Sequence, residues 1–459
     1  MHADDPFVRA QCTIGRGLPA EASRRCRFGG RQVRVRWGEA LVALRFREFR
    51  LLWAGQFVSM LGTQMQTVAL SWLVYDLTGS PANLGGVALV RAIPTMVLSL
   101  FGGTLADQMD RRRLLLLTQS TAAFLLGVLA LAVSLGMTSL PLLHLLAFTS
   151  AAAMSFDTPA RQALIPLLVP RERLANALAL NVLAWDVAAI AGPAVGGLVI
   201  AHVSVAAAFW VDAASYLAVV GAFLAMRRDL PVPKLERRGW TAFMDGLRFV
   251  RHRPLLWQLM LLDFFAVLLV SSTGLLPVFT RDILRAGPDG LGLLFAAPSA
   301  GAIVGAGLFA LLPTPRWPGQ VVAWVVVGYG AVLAVFGISH LFVLSFLLLA
   351  LAGALDAVAM ALRHTVRQLA TPDAYRGRVG AIAAVFAAGG PRLGQFQAGV
   401  LAGAVGPAGA MVIGGVGCVL VAVASRWWAP ELWRFCGEEL FEAAGAEHRK
   451  PRAKPSPSE

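Results

Sequence analysis

The chain has 459 residues, of which 57% are hydrophobic and only 14% are charged, with a mean hydropathy of +0.67. This composition excludes ordinary soluble domains, because a chain of this length cannot hide so much apolar surface from water. The four cysteines lack the spacing of a disulfide framework or a zinc site. We therefore expect a protein that lies in the lipid bilayer and needs no cofactor and no metal.

Twelve apolar stretches are long enough to cross about 30 Å of hydrocarbon as helices. They predict an all-α membrane protein with twelve transmembrane helices in two six-helix halves. The predicted spans are 50–76, 83–106, 114–136, 140–160, 175–201, 205–226, 255–281, 290–312, 318–339, 341–363, 378–402 and 406–428. The predicted parts are a basic N-terminal arm (1–49), a first half (50–226), a link (227–254), a second half (255–428) and a tail (429–459).

Arginines lie almost entirely in one alternating set of loops, whereas the opposite set holds Arg281 and Arg285. Because cytoplasmic loops carry the excess of positive charge, the arginine-rich set and both termini are predicted to be cytoplasmic. The net charge of +14 is thus explained by topology, and we expect no nucleic acid partner. The arginines of the cytoplasmic set are Arg111, Arg112, Arg113, Arg161, Arg171, Arg173, Arg227, Arg228, Arg237, Arg238, Arg248, Arg251, Arg253, Arg376 and Arg378.

Two segments of the chain repeat each other. ARQALIPLLVPRERLANA (160–177) and VRQLATPDAYRGRVGAI (366–382) share an Arg-Gln pair followed by Arg-x-Arg, and each lies between the fourth and fifth spans of its half. GPAVGG (192–197) in the fifth span has a partial echo in GPRLG (390–394). Repeats of this kind place a binding site at the interface between the two halves.

The charged loop GGTLADQMDRRR (102–113) resembles the loop 2–3 signature of the major facilitator superfamily, with Gly103, Asp107, Arg111 and Arg112 in register. It departs from the signature at Gln108 and Asp110, and the equivalent loop of the second half keeps only Arg316. The resemblance implies a cytoplasmic gate. The alternative is a simple positive-inside anchor with a turn.

The resemblance also implies how this gate is built. Asp107 is expected near the start of the eleventh span, where the first backbone N–H groups of a helix stabilise a carboxylate. Arg111 and Arg112 are expected to pair with Asp157, and Gly103 is expected to allow close helix approach.

Further motifs resemble the superfamily's bacterial drug and siderophore efflux branch, which includes enterobactin and macrolide exporters. They are SFDTPARQALIPLLVPRERLANALALN (155–181), GPAVGGLV (192–199) and YRGRVGAI (375–382), within a resemblance that covers about residues 45–428. The resemblance implies a monomeric exporter of the bacterial inner membrane that moves a small amphipathic molecule by alternating access, with protons as the expected coupling partner. Two alternative functions remain: an importer of the same fold, and a membrane sensor or scaffold that does not transport. The histidines do not cluster as in an enzyme.

The fifth-span motif can be interpreted in two ways that are compatible. The resemblance associates it with exporters, whereas its small residues also form a ridge for helix packing. Its residues are Gly192, Pro193, Gly196 and Gly197.

Ionisable residues inside the spans are candidates for coupling or cavity lining, because such residues are costly in lipid. Asp186 ranks first, at a depth of about 15 Å. Gln56, Gln64 and Gln66 of the first span, with Trp185, would supply a polar and aromatic lining. The alternative for Asp186 is a structural ion pair with Arg91 or Arg392. The other intramembrane candidates are Arg91, Asp212, Asp263, Asp356 and Arg392.

Overall fold

A computed structural model describes residues 41–108, 110–226, 239–313, 315–372 and 375–436. Within those ranges the regular structure is helical and contains no strand, which confirms the all-α prediction. The helices are α1 (Arg47–Thr78), α2 (Pro81–Gln108), α3 (Arg111–Ser134), α4 (Leu140–Leu168), α5 (Leu174–His202), α6 (Val205–Ala225), α7 (Gly239–Arg251), α8 (Pro254–Leu269), α9 (Pro288–Leu311), α10 (Pro318–Gly337), α11 (Phe342–Leu369), α12 (Arg376–Trp428) and α13 (Pro430–Arg434).

Local sequence explains where several helices begin and end. Gly79 ends α1 in the left-handed conformation at φ 59°, and Pro81 then opens α2. The side chain of Asp110 caps α3 by accepting from the backbone N–H of Arg112 at 2.9 Å. Ser204 caps α6 in the same way. We call the end of the bundle that holds the α1–α2 and α5–α6 turns the predicted outer end.

In the described ranges, nine helices are long and apolar enough to cross a membrane, or ten if a bent pair counts as one span. Helix α12 is one of the nine, and its 53 residues would extend about 80 Å, far more than a bilayer requires. Its helical geometry is interrupted, with φ 80° and ψ 162°, at Gly406, which is the first residue of the second of the two spans predicted there. The count of twelve spans stays a prediction.

The segment predicted as a continuous seventh span is instead broken. Helix α8 ends at Leu269, and short irregular turns lead to a π-helical segment, Phe279–Ile283. Pro277 has no backbone N–H to donate, and Ser271 and Gly274 favour irregular backbone over helix. The loss of regularity therefore has a local cause that apolar composition alone does not reveal.

The predicted link contains helix α7, which meets α8 at an angle of 100°. Gly246 lets α7 approach the first turn of α12, where a Cβ atom would lie 2.8 Å from the Cβ of Arg378. Phe249 of α7 stacks on Tyr375 with ring centroids 4.2 Å apart. Helix α7 is thus attached to the bundle.

Most helix packing occurs within two groups, α1–α6 and α8–α12. In the first group, α1 packs on α5 and α6, α2 packs on α4, and α3 packs on α4 and α6. In the second group, α9 packs on α11, α10 packs on α11 and α12, and α8 packs on α12. Two extensive contacts join the groups: α5 with α9, and α2 with α12. The assignment of these groups as separate halves, with the boundaries given above, stays a prediction.

Candidate transport site

Helices α5 and α9 touch through glycine backbone near the predicted outer end. A Cβ atom on Gly197 would lie 2.5 Å from the carbonyl oxygen of Pro288 and 3.0 Å from the Cα of Gly292. A Cβ atom on Gly292 would collide with the carbonyl oxygen of Pro193. Two residues without side chains are therefore needed for this crossing.

Helices α2 and α12 cross in the same manner. A Cβ atom on Gly85 would lie 2.9 Å from the carbonyl oxygen of Phe396, and one on Gly399 would lie 2.6 Å from the carbonyl oxygen of Pro81. Each crossing joins the second helix of one group to the helix that carries the repeated Gly-Pro motif in the other. The two groups therefore meet through equivalent contacts, as expected for repeats.

The fifth-span motif packs α5 against two helices at once. Gly192 and Gly196 face α1, where added Cβ atoms would lie 2.5 Å from the Cβ of Gln64 and 2.9 Å from the Cα of Met65. Gly197 faces α9, as described above. The motif therefore connects contacts within the first group to the contact between groups.

A polar link joins the groups at the predicted outer end. Arg281, in the π-helical segment after α8, pairs with Asp76 of α1 at 2.8 Å, and the hydroxyl of Tyr75 donates to Asp282. The paired side chains of Arg281 and Asp76 are 45% and 54% exposed. The sequence drew attention only to Arg281, as a rare arginine on the outer side.

Asp157 does not pair with Arg112, the partner predicted for it. It is buried and forms an ion pair with Arg161 one turn away, and it accepts from Nε2 of Gln119 at 2.6 Å. Arg112 donates to the carbonyl oxygens of Phe223 and its neighbour in the last turn of α6. The predicted Arg112–Asp157 pair is wrong, because the unsatisfied carbonyls at the end of α6 accept from this arginine.

The remaining members of the predicted gate are less fully described. Gly103 and Asp107 lie in the last turns of α2, and their side chains are outside the described residues. Arg111 is buried in the first turn of α3. The gate role of these residues stays a prediction.

The second group contains a charged cluster. Arg363 of α11 pairs with Asp263 of α8 and with Asp356 of α11, the latter at 3.2 Å. Asp356 and Arg363 also line a small pocket with Tyr329 of α10. Sequence reasoning selected both acids but missed Arg363, whose spacing of two helical turns from Asp356 was an available signal.

Asp186 lies half-buried in α5, beside Trp185, whose side chain is 55% exposed. Asp186 makes no hydrogen bond and no ion pair with any residue in the described ranges. The alternative of a structural ion pair with Arg91 or Arg392 is therefore wrong for this conformation. Asp186 remains a candidate coupling acid.

Asp212 of α6 is fully buried at the contact with α1. Its Oδ1 atom accepts from Ser215 at 3.2 Å, whereas its Oδ2 atom has no hydrogen-bond partner in the described structure. Gly62 makes room for this carboxylate, since a Cβ atom there would lie 2.5 Å from Oδ1. Arg91 of α2 is close enough for its charge to interact with Asp212.

The glutamines of α1 contribute less to a lining than predicted. Gln56 and Gln66 are buried between helices, and Gln64 packs its Cβ against Gly192. Gln66 lines a small apolar pocket between α1, α3 and α4. These side chains are therefore part of helix packing in this conformation.

The chain matches the family described as transmembrane secretion effectors over residues 39–432. It is 27% identical over 387 residues to the enterobactin exporters of Shigella boydii and of Citrobacter koseri, covering 84% of this chain and 93% of each relative. The enterobactin exporter of Escherichia coli is 26% identical over the same length.

Solved structures share the fold. A bacterial homologue of the human lysosomal transporter Spinster matches with a TM-score of 0.64 and 15% identity, covering 84% of this chain and 96% of that one. A bacterial homologue of the iron transporter ferroportin matches with a TM-score of 0.63 and 16% identity, covering 83% of this chain and 98% of that one. Family, relatives and fold are those of membrane transporters and not of enzymes. The chain is thus a multi-pass membrane protein that belongs to the transmembrane secretion effector family of the major facilitator superfamily.

Proposed function

We propose that this protein is a secondary active exporter that moves a small amphipathic molecule, such as a drug, a siderophore or a related metabolite, out of the bacterial cytoplasm. The direction and the class of cargo are supported by relatives named as enterobactin exporters, which align over 84% of this chain. The protein acts as a monomer in the inner membrane, with both termini in the cytoplasm, and it needs no nucleic acid partner.

The observation that carries this proposal is the position of the links between the two helix groups. The α5–α9 crossing, the α2–α12 crossing and the Asp76–Arg281 pair all lie toward the predicted outer end. Toward the opposite end, the Asp157–Arg161 and Asp263–Arg363 pairs each lie within one group. This arrangement supports a carrier that is closed on the outer side and must separate its groups there to release cargo.

Asp107 acts as a latch on the cytoplasmic side when that side closes. A carboxylate at the end of α2 can bind the N-terminal N–H groups of a helix from the other group, and this contact is lost when the carrier opens inward. The fifth-span motif then provides the close contacts about which the groups move.

Protons drive export, with Asp186 as the coupling acid. It lies near the middle of α5 without an ion-pair partner in the described structure, so its charge is not fixed by a neighbouring cation. A carboxyl group in this setting can change protonation as its access to water changes.

The test compares metabolites and drug sensitivities, without preselected compounds, in cells that lack their own efflux pumps. Wild-type protein should enrich a small set of compounds in the medium and deplete them in the cells. Enrichment inside the cells would indicate an importer, and an unchanged profile would indicate a sensor or scaffold; either result contradicts the proposal.

A further inference from the structure

Asp212 is a buried acid that the proposed transport function does not use. Its side chain lies where α6 packs on α1, and no part of it reaches solvent. A Cβ atom on Gly62 of α1 would lie 2.5 Å both from the Oδ1 atom of Asp212 and from the hydroxyl oxygen of Ser215. The two helices therefore close tightly around this carboxyl group.

The hydroxyl groups around Asp212 already use their hydrogen atoms elsewhere. The hydroxyl of Ser215 has one hydrogen, and it lies closer to the backbone carbonyl oxygen of Asp212, at 2.7 Å, than to Oδ1, at 3.2 Å. Thr63 of α1 donates to the carbonyl oxygen of Ser59 at 2.9 Å, so the hydroxyl of Tyr216 donates to Thr63 at 3.1 Å. None of these three hydroxyls has a hydrogen left for the carboxyl group.

No ion pair compensates a charge on Asp212 in the part of the chain that the structure describes, and its Oδ2 atom has no hydrogen-bond partner there. Arg91 of α2 is the charged group that faces it, without forming an ion pair. The ionisable side chains of α1 and α3 lie in the first or last turns of these helices. His202 of α5 also lies in a last turn, and Asp186 is about 14 Å further from the predicted outer end than Asp212.

A proton on Asp212 satisfies this arrangement. A protonated Oδ1 atom donates to the hydroxyl oxygen of Ser215, which accepts while its own hydrogen goes to the backbone carbonyl oxygen. An ionised carboxyl group in the same place would be a buried charge with an oxygen atom that receives no hydrogen bond, which is costly. The packing of α1 on α6 therefore favours the neutral acid.

We propose that Asp212 is a proton-binding site, separate from the coupling acid proposed at Asp186, and that its bound proton keeps α1 packed on α6. Because α1 also carries Asp76, which pairs with Arg281 at the predicted outer end, the proton holds one side of that pair in place. This inference goes beyond the proposed function, since it depends on neither the cargo nor the direction of transport.

Infrared spectroscopy of the purified full-length chain in lipid nanodiscs tests the protonation state, because neutral and ionised carboxyl groups absorb at different frequencies. At about pH 7, where an ordinary aspartate is ionised, the difference between wild type and Asp212→Asn should contain the band of a neutral carboxyl group. Asp289→Asn, which removes an exposed acid, is the matched control and should remove an ionised carboxylate band instead.

Ser215→Ala provides a second variant. It removes the group that accepts the proposed proton, so the neutral carboxyl band should shift to higher frequency while the acid stays in place. If Asp212→Asn yields no folded protein, the difference between wild type and Ser215→Ala still decides.

Unfolding should release the bound proton, because an aspartate in the unfolded chain is ionised at neutral pH. The stability of the wild type should therefore fall as the pH rises, by about tenfold in the folding equilibrium per pH unit relative to Asp212→Asn. Thermal unfolding of both proteins between about pH 5 and about pH 7 measures this difference.

A difference between wild type and Asp212→Asn that is confined to ionised carboxylate bands overturns the proposal, and so does an unchanged neutral carboxyl band in Ser215→Ala. Unfolding temperatures of wild type and Asp212→Asn that change in parallel with pH overturn it as well. Failure of the proposed export is a separate outcome, because both measurements use protein without cargo.

Discussion

Asp76 and Arg281 meet at the predicted outer end with about half of each side chain exposed to solvent. Exposed ion pairs contribute only about 0–1 kcal/mol, because water and salt screen them. A weak link is suited to a gate, since it must break in every transport cycle. The same exposure implies that loss of this pair changes which conformation is populated more than it changes folding.

Asp76→Asn should increase the population that is open to the outside by up to about fivefold, the equivalent of 1 kcal/mol. The measurement is the rate at which an impermeant thiol reagent, added outside, modifies Trp185→Cys in a background without the native cysteines. Asp289→Asn, which removes an exposed acid at the same end, should leave the rate unchanged. An unchanged rate in Asp76→Asn would contradict a gating role for this pair.

Asp186→Asn should keep the amount of folded protein, because the structure gives this acid no ion-pair partner within the described ranges. Substrate should still bind and exchange across the membrane, whereas efflux driven by a proton gradient should fall. If Asp186 instead formed a structural ion pair, the substitution would leave its cationic partner buried without a counter-charge. The free energy of unfolding would then fall by about 3–5 kcal/mol, about a thousandfold in the folding equilibrium, and the amount of folded protein would drop. Full gradient-driven efflux would move the coupling acid to Asp263 or Asp356.

Asp107→Asn should leave the protein in the membrane but reduce transport severely, because it removes the charge of the latch without changing its shape. Folding should change by only about 0.3–1 kcal/mol. Asp110→Asn is the matched control: it removes the same charge from the same loop, and asparagine can still cap α3. Normal transport by Asp107→Asn would dismiss the latch.

At the scale of elements, helix crossings depend on residues that have no side chain. Gly197 and Gly292 let α5 and α9 meet by their backbones, and any added Cβ atom must displace a carbonyl oxygen, which cannot rotate away. Gly307, which also lies in α9, has open space around it. Position at a crossing, and not glycine itself, should therefore decide the effect of substitution.

Gly292→Ala and Gly197→Ala should each lower stability of the outer-closed form by about 1–3 kcal/mol, the usual cost of overpacking. Gly307→Ala in α9 and Gly221→Ala in α6 should be neutral or slightly stabilising, because nothing lies within 4 Å of the added atom. Thermal unfolding together with modification of Trp185→Cys from outside checks both expectations. Equal effects at crossing and open positions would show that the crossings are not tight.

Helix bounds were largely predictable, because length and hydropathy determine which segments can cross a bilayer. Gly79, Pro81 and Asp110 explain the turn after α1 and the start of α3 once the structure is known. The break after Leu269 was not predicted, since an apolar segment has the same hydropathy whether or not its helix is continuous. The signal there was Pro277, which lacks a backbone donor.

The sequence allowed single candidate residues to be predicted, but not the residues with which they pair. Acids within apolar segments stand out in a sequence, and Asp186, Asp263 and Asp356 were found in this way. Their partners were not, because the sequence does not state which helices become neighbours. Arg363 was missed for this reason, and Arg112 was assigned to the wrong acceptor.

At the scale of the whole molecule, the arginine distribution predicts the orientation that export requires. Tags at either terminus should be protected from reagents added to spheroplasts, and Arg285→Cys should react with an impermeant thiol reagent from outside. Arg113→Cys, at the opposite end and also at an exposed position, should not react until the membrane is permeabilised. A C-terminal tag accessible in intact cells would overturn the orientation and with it the direction of transport.

The most direct test of alternating access is to lock the outer end. Asp76→Cys and Arg281→Cys, in a background without the four native cysteines, are joined by a short reducible thiol linker, and export of a compound identified by the metabolite comparison is measured. Linked protein should not export, reduction should restore export, and each single cysteine should be insensitive to the linker. Continued export by fully linked protein would contradict the account, because cargo would then leave without separation of the two helix groups.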